Sequence, residues 1–177
     1  GDPAWSLSDL ATNSFGQGIA VTPIQMLSAV AAMVNGGKLM RPYVVQARVH
    51  GQEVLMTRPT TVHQVLDPET SAQMREMMVH VVDTGNLQAR VPGYAVGGKS
   101  GTAEIATAEG YSEETVASFI GFAPADDPQF VVLIKLDRPD TTIARWASQS
   151  AAPVFKRVTF RLLDHLNIAP DEERLRD

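Results

Sequence analysis

Hydrophobic positions divide the chain into recognisable segments. Ile24, Leu27, Ala31 and Val34 fall on one helical face, and Met26, Val30 and Met33 make the adjoining face apolar too. A helix so apolar all round is expected to be buried. Thr22-Pro23-Ile24-Gln25 starts it, with a capping threonine, a proline suited to the first helical position and Gln25 to complete a capping box. Asn35-Gly36-Gly37 ends it. Residues 44–49 and 53–56 flank Gly51-Gln52, which predicts a small β-hairpin with glycine first in the turn. Asp67-Pro68 opens a second helix, whose stripe Met74, Met77, Met78, Val81 and Val82 runs to Gly85 and reads as core.

The character then changes. Residues 94–106 are small, polar and glycine-rich, like an edge strand; 116–123 read as a strand, 124–128 as a turn and 129–136 as another strand. Within the last, Phe130 to Ile134 does not alternate, which predicts burial on both faces. A long helix closes the pattern, with Ala147, Ala151, Val154, Phe155, Val158, Leu162 and Leu166 on one stripe; Pro153 must kink it or sit near its start. The expected class is α+β, helices packed on an antiparallel sheet. Three strands make a small sheet for 177 residues.

Composition narrows the classes. Apolar content of 44% and charge of 20% are those of a globular protein. A net charge of -5 with no basic stripe argues against a nucleic-acid partner. Residues 170–177 mix both signs and read as a solvated end. Without cysteine, thiolate chemistry is excluded, and His50, His63, His80 and His165 lack metal-ligand spacing. No metal or cofactor is expected. No apolar run reaches the roughly 18 residues that span a membrane. The chain opens at Gly1 without methionine or leader, so the expectation is a piece of something longer.

One stretch matches two unrelated motifs. Gly93 to Ser100 fits the phosphate-loop pattern GxxxxGK[ST], while Lys99-Ser100-Gly101 fits the K-[TS]-G triad of serine acyl-transferases. A phosphate loop follows a buried strand and opens a helix. Here residues 86–92 are no such strand, and Gly101 stands where the helix should begin; Asp137 is a weak candidate for a magnesium partner. The acyl-transferase reading predicts an edge strand beside a cleft, on which an extended peptide can align. Gly97, Gly98 and Gly101 would let substrate backbone approach, Lys99 would supply positive charge, the Ser100 and Thr102 hydroxyls could hold a carboxylate, and a backbone N–H could serve an oxyanion hole.

The neighbourhood favours the second reading. Residues 14–27 (SFGQGIAVTPIQML) resemble the SFGxGxxVTPLQL segment of class B penicillin-binding proteins, the monofunctional peptidoglycan transpeptidases. Asn35-Gly36-Gly37 and Arg41-Pro42 resemble the family's NGG…RP, and residues 93–104 (GYAVGGKSGTAE) its GYxVAGKTGTAE strand; ASFIGFAP at 117–124 and AAPVF at 151–155 continue the order. Ser100 stands for the commoner threonine. The resemblance implies a partial penicillin-binding/serine β-lactamase-like fold, with residues 1–177 as the C-terminal portion of a transpeptidase domain. It also implies an acyl-serine reaction on D-Ala-D-Ala stem peptides, acylation by β-lactams, and a membrane-anchored parent outside the bacterial cytoplasmic membrane, working with cell-wall synthesis partners. It gives Lys99 and Thr102 catalytic roles, the latter's N–H as half an oxyanion hole, and Ser100, Gly101 and Thr102 substrate binding.

The family's other boxes are missing from these residues. Three positions before Lys38, Lys99, Lys135 and Lys156 stand Asn35, Val96, Val132 and Pro153, so there is no Ser-x-x-Lys, and no Ser-x-Asn either; Thr84-Gly85-Asn86 is the nearest approach. Without nucleophile and base a covalent mechanism cannot run, so the chain alone is expected to be inert. The alternatives are a non-catalytic peptidoglycan- or partner-binding module, a penicilloyl-serine hydrolase, and last a nucleotide binder. Apolar surface exposed by truncation is expected to drive self-association.

Overall fold

The computed structural model describes residues 6–14, 16, 18–107 and 110–176, side chains at 106, 107, 110, 111 and 113 apart. Phe15 and Gln17 of the 14–27 segment lie outside that set. A short helix α1 (Leu7–Asn13), capped by Ser6 and Asp9, was not foreseen. Helix α2 (Pro23–Val34) starts as its sequence dictates: the Gln25 amide donates to Thr22 Oγ1 and the Thr22 amide to Gln25 Oε1, at 3.4 and 2.8 Å. Helix α3 (Pro68–Thr84) starts on Asp67, whose carboxylate accepts the Thr70 amide at 2.8 Å and is held below its ordinary pKa chiefly by that bond.

Between these helices lies an outlying arm. Strands β1 (Lys38–Met40) and β4 (Thr61–Gln64), an unforeseen pair, form its base. The hairpin β2 (Ala47–His50) and β3 (Glu53–Met56) forms its tip, with Gly51 at φ 60° as a II′ turn requires. Its first strand begins three residues later than expected. No residue from 41 to 65 is buried. The base is closed by Val65 N–H to Gly37 O (2.8 Å) and by Gln64 Nε2, which donates to Gly36 O and Leu66 O.

The main sheet is antiparallel, in the order β5 (Gly97–Thr107), β6 (Gly110–Ala123), β7 (Phe130–Asp137). Side chains alternate along β6, so one strand serves two cores. Ala117 and Phe119 face α4 (Ala151–His165), where Phe119 meets Phe155 at 4.7 Å between ring centroids. Ile120 and Phe122 face the other way, onto Val30 and Val34 of α2 and Met78 of α3. The sheet is thus a filling between helices, as the α+β reading requires.

Four expectations about packing need correction. Helix α2 buries only Val30, Ala32 and Val34, and Ile24 is 52% exposed, because the sheet and α3 cover it on one side only. On α3, Met78 and Val82 are buried but Met77 is exposed. The run on β7 is flanked on both faces, Val132 and Ile134 toward α4 and Val131 and Leu133 toward α2. It is nonetheless only half-buried, since β7 is an outer strand of the described sheet. Helix α4 is rotated from the expected stripe: Ala151, Ala152, Phe155, Thr159 and Leu163 are buried, Val154, Val158 and Leu162 half-buried, and Leu166 exposed. The packing of Phe155 against Phe119, rings tilted by 44°, goes with that rotation, and Pro153 sits in the first turn, where its missing N–H is not needed.

The C-terminal residues are docked rather than fraying, although Glu172, Glu173, Leu175 and Arg176 stay exposed as a solvated end would be. Residues 168–174, including a helical turn α5 (Asp171–Arg174), fold back against residues 93–95 and 126. Ion pairing and backbone bonding outweigh the exposure expected from their charge.

Candidate active site

Lys99, Ser100, Gly101 and Thr102 lie in sequence along β5, opposite Ile120, Phe119, Ser118 and Ala117 of β6. The strand continues to Thr107, so the helix that a phosphate loop requires does not form, and the nucleotide reading fails on this backbone. Among the described residues no three His, Cys, Asp or Glu side chains gather to hold a metal ion.

The glycines divide by function. A Cβ on Gly97 would run into the Phe122 ring, and one on Gly98 would lie 2.6 Å from Phe119. Both glycines are buried. They make room for the aromatic pair of β6 rather than for substrate, which corrects the sequence reading. Gly101 is exposed, and a Cβ there would meet only the Ser118 hydroxyl, at 2.9 Å.

The direction of the peptide groups follows from two hydrogen bonds. Ser118 Oγ on β6 donates to Gly101 O at 3.3 Å, so that carbonyl points toward β6. Across a trans peptide the next amide points the opposite way, and Thr102 N–H therefore faces the edge of β5 that has no partner strand among the described residues, its free edge. Lys99 Nζ donates to Ser100 O at 2.8 Å, at that same free edge. The edge therefore presents the Thr102 donor, the Ser100 carbonyl and an exposed ammonium together.

Ser100 and Thr102 are half-buried on the α4 side of the strand. The Ala147 amide, just before α4, donates to Thr102 Oγ1 at 3.1 Å. That bond occupies a lone pair and leaves the Thr102 O–H free to donate, the polarity needed to bind a carboxylate. The sequence reading placed Ala147 on the last helix, which begins only at Ala151, and gave this segment no part in the site. Beside Ala147 it carries Trp146, 54% exposed, with the Arg145 guanidinium 5.5 Å from the ring centre. An exposed tryptophan just before a helix that begins Ala-Ala-Pro was the available signal.

Recesses lie along α4 at Val154 and Phe160, between α2 and β7, and between α3 and the C-terminal residues, and none of the three includes residues 99–102.

Residues 1–159 match the family described as the penicillin binding protein transpeptidase domain. The chain belongs to that family. Among curated transpeptidase-family relatives, it is 41% identical over 170 residues to Stage V sporulation protein D of Bacillus subtilis, an alignment covering 93% of this chain and 26% of that one. It is 36% identical to the probable peptidoglycan D,D-transpeptidase PbpC of Pseudomonas aeruginosa, covering 94% and 28%. Among solved structures it superposes on the transpeptidase domain of Burkholderia pseudomallei penicillin-binding protein 3 with a TM-score of 0.81 at 33% identity, covering 95% of this chain and 49% of that one. Penicillin-binding protein 3 of Mycobacterium tuberculosis, complexed with ampicillin, gives 0.82 at 29% identity, covering 94% and 40%. The penicillin-binding fold expected from the sequence is the fold observed. The chain spans about a quarter of the length of those curated transpeptidase relatives.

Proposed function

We propose that this chain is the substrate-binding wall of a peptidoglycan D,D-transpeptidase. In this reading the D-Ala-D-Ala end of a stem peptide, or a β-lactam, lies along the free edge of β5. The Ser100 and Thr102 hydroxyls donate to its terminal carboxylate. Thr102 N–H is one donor to the oxyanion that forms when a serine attacks the penultimate carbonyl; loss of one such donor typically costs about 10²–10³ in rate. The Lys99 ammonium attracts the anionic substrate and keeps neighbouring groups in the required protonation state. A base takes the proton of the serine, whose oxygen adds to the penultimate carbonyl carbon. The C–N bond then breaks as that proton passes to the leaving D-alanine, and the resulting acyl-serine ester is attacked by an amine of a neighbouring strand, which gives up a proton and releases the serine.

The observation that carries this reading is the pairing, at one residue, of an outward N–H with a hydroxyl whose acceptor side is already used. The nucleophile and its base come from outside these 177 residues, which contain no Ser-x-x-Lys. The chain by itself is therefore inert, and the complete protein works at the outer face of the cytoplasmic membrane, held by an anchor. Among the described residues no helix is long and apolar enough to cross a membrane.

Incubation with a labelled penicillin followed by intact-mass measurement tests the division of labour. This chain is expected to stay unmodified. After fusion behind the preceding half of the Bacillus subtilis relative's transpeptidase domain, one penicilloyl group per molecule is expected. A stable adduct on the unfused chain, or a folded fusion that never acylates, overturns the proposal.

A further inference from the structure

The residues beyond the family match, from 160 onward, hold the base of the active-site strand. Asp171 bonds twice to the segment that leads into β5: its amide donates to Gly93 O at 2.9 Å, and its carboxylate accepts the Ala95 amide at 2.5 Å. Between them, Tyr94 Oη donates to Ile168 O at 2.7 Å. Gly93 has φ 81°, in the left-handed region that favours glycine, and lies in van der Waals reach of Pro170.

Arg174 secures the return. Its guanidinium meets both oxygens of Asp126, at 2.6 and 2.8 Å, a fork-on-fork pair. It also donates to Asp171 and, through Nε, to Ala169 O at 3.1 Å. The side chain is only 20% exposed. Asp126 sits in the turn between β6 and β7, and that turn bonds to the same segment through Ala125 N–H to Ala95 O at 2.9 Å. Arg75 of α3 donates to the Asp126 carbonyl at 3.2 Å.

Two pieces of chain, the C-terminal residues and the β6–β7 turn, thus bond to residues 93–95, four to six positions before Lys99, and Arg75 of α3 braces the turn. Among the described residues strand β5 has a partner strand on one side only, so β6 fixes its register but not the pose of its other edge. That edge is pinned at Thr102 by Ala147 and, below Gly97, by the C-terminal residues.

We infer that Asp171 and Arg174 are positioning residues for the Lys99–Thr102 wall, and that residues 168–174 form a clasp whose closure sets the pose of that wall. The inference rests on the proposed reading of the wall as a substrate-binding surface.

Amide hydrogen exchange by mass spectrometry on the full 177-residue chain tests it, comparing wild type with R174M, R174K and D171N. In R174M, protected amides within 94–104 are expected to exchange at least tenfold faster, together with 168–176, while 116–123 and α2 keep wild-type rates. R174K, which keeps the charge without the fork, should lie between. A global rise in exchange would assign Arg174 a merely structural role and overturn the proposal. So would release of 168–176 with 94–104 unchanged, or retention of the tail in R174M. Should R174M fail to fold, D171N supplies the same comparison through the Ala95 bond. Exchange does not depend on what the wall binds, so this result and the penicillin result stand or fall separately.

Discussion

Replacing Gly98 by alanine puts the facing of β5 to a direct test. The new methyl would sit 2.6–2.7 Å from two atoms of the Phe119 ring and 2.9 Å from Ile120 O. Phe119 is fully buried and packed against Phe155, and Ile120 O is backbone, so neither neighbour can swing aside. Overpacking of this kind costs about 1–3 kcal/mol. Gly98 does not have a positive φ, so alanine also gains about 0.4–1 kcal/mol from the stiffer unfolded chain. The balance is a loss of about 1–2 kcal/mol, or roughly 2–8 °C in melting temperature for a chain of this size. Gly101→Ala is the internal control. Its methyl meets only the Ser118 hydroxyl, which can rotate away at the cost of a weak, exposed hydrogen bond. That variant is expected within about 1 kcal/mol of wild type. Thermal unfolding followed by circular dichroism, with urea titration as a second measure, reads both. If G98A melts with the wild type, or if G101A falls as far as G98A, then the facing of the strand argued above is wrong. A one-residue slip of β5 would produce that second outcome.

Thr102→Val keeps the shape but removes the acceptor of the Ala147 amide; beside a buried residue this should cost about 1–3 kcal/mol, whereas Thr102→Ser should restore the stability. Equal melting of the valine and serine variants would show that the bond is not made. The Arg174 guanidinium holds the Asp126 carboxyl below its ordinary pKa, with Asp171 and Asp127 nearby, Arg75 on its carbonyl, and Glu76, His80 and Asp83 across the recess. A lowered native pKa stabilises above the unfolded value and is lost as pH falls through the native one. The melting difference between wild type and D126N should therefore hold from pH 7 to 5 and shrink below about pH 4; a difference that grows in acid would refute the pairing. The half-covered β7 and exposed Ile24 favour self-association, which static light scattering should show as mass rising with concentration; a monodisperse monomer throughout would count against it.

Local signals were readable in proportion to how local their physics is. Thr22 with Gln25, and Asp67 with Pro68, place helix starts because capping needs only three or four neighbouring residues. The same rule was available for α1 in Ser6 and Asp9. Lys99 to Thr102 were legible because a strand keeps contiguous residues together. What escaped depends on partners distant in sequence. Gly97 and Gly98 make sense only once the register sets them against Phe122 and Phe119. The Thr102–Ala147 bond spans 45 residues and Arg174–Asp126 spans 48. The rotation of α4 goes with one ring packing against another, which periodicity cannot see.

The arm from 41 to 65 leaves and re-enters the body through adjacent residues, near Gly37 and Leu66. Since it buries nothing, its length and sequence are uncoupled from the cores on either side of the sheet. Its Gly51–Gln52 tip is accordingly a place where a reporter or a whole domain could be spliced in, and where descendants of this gene can lengthen, shorten or rewrite the loop while strand β5 stays as it is.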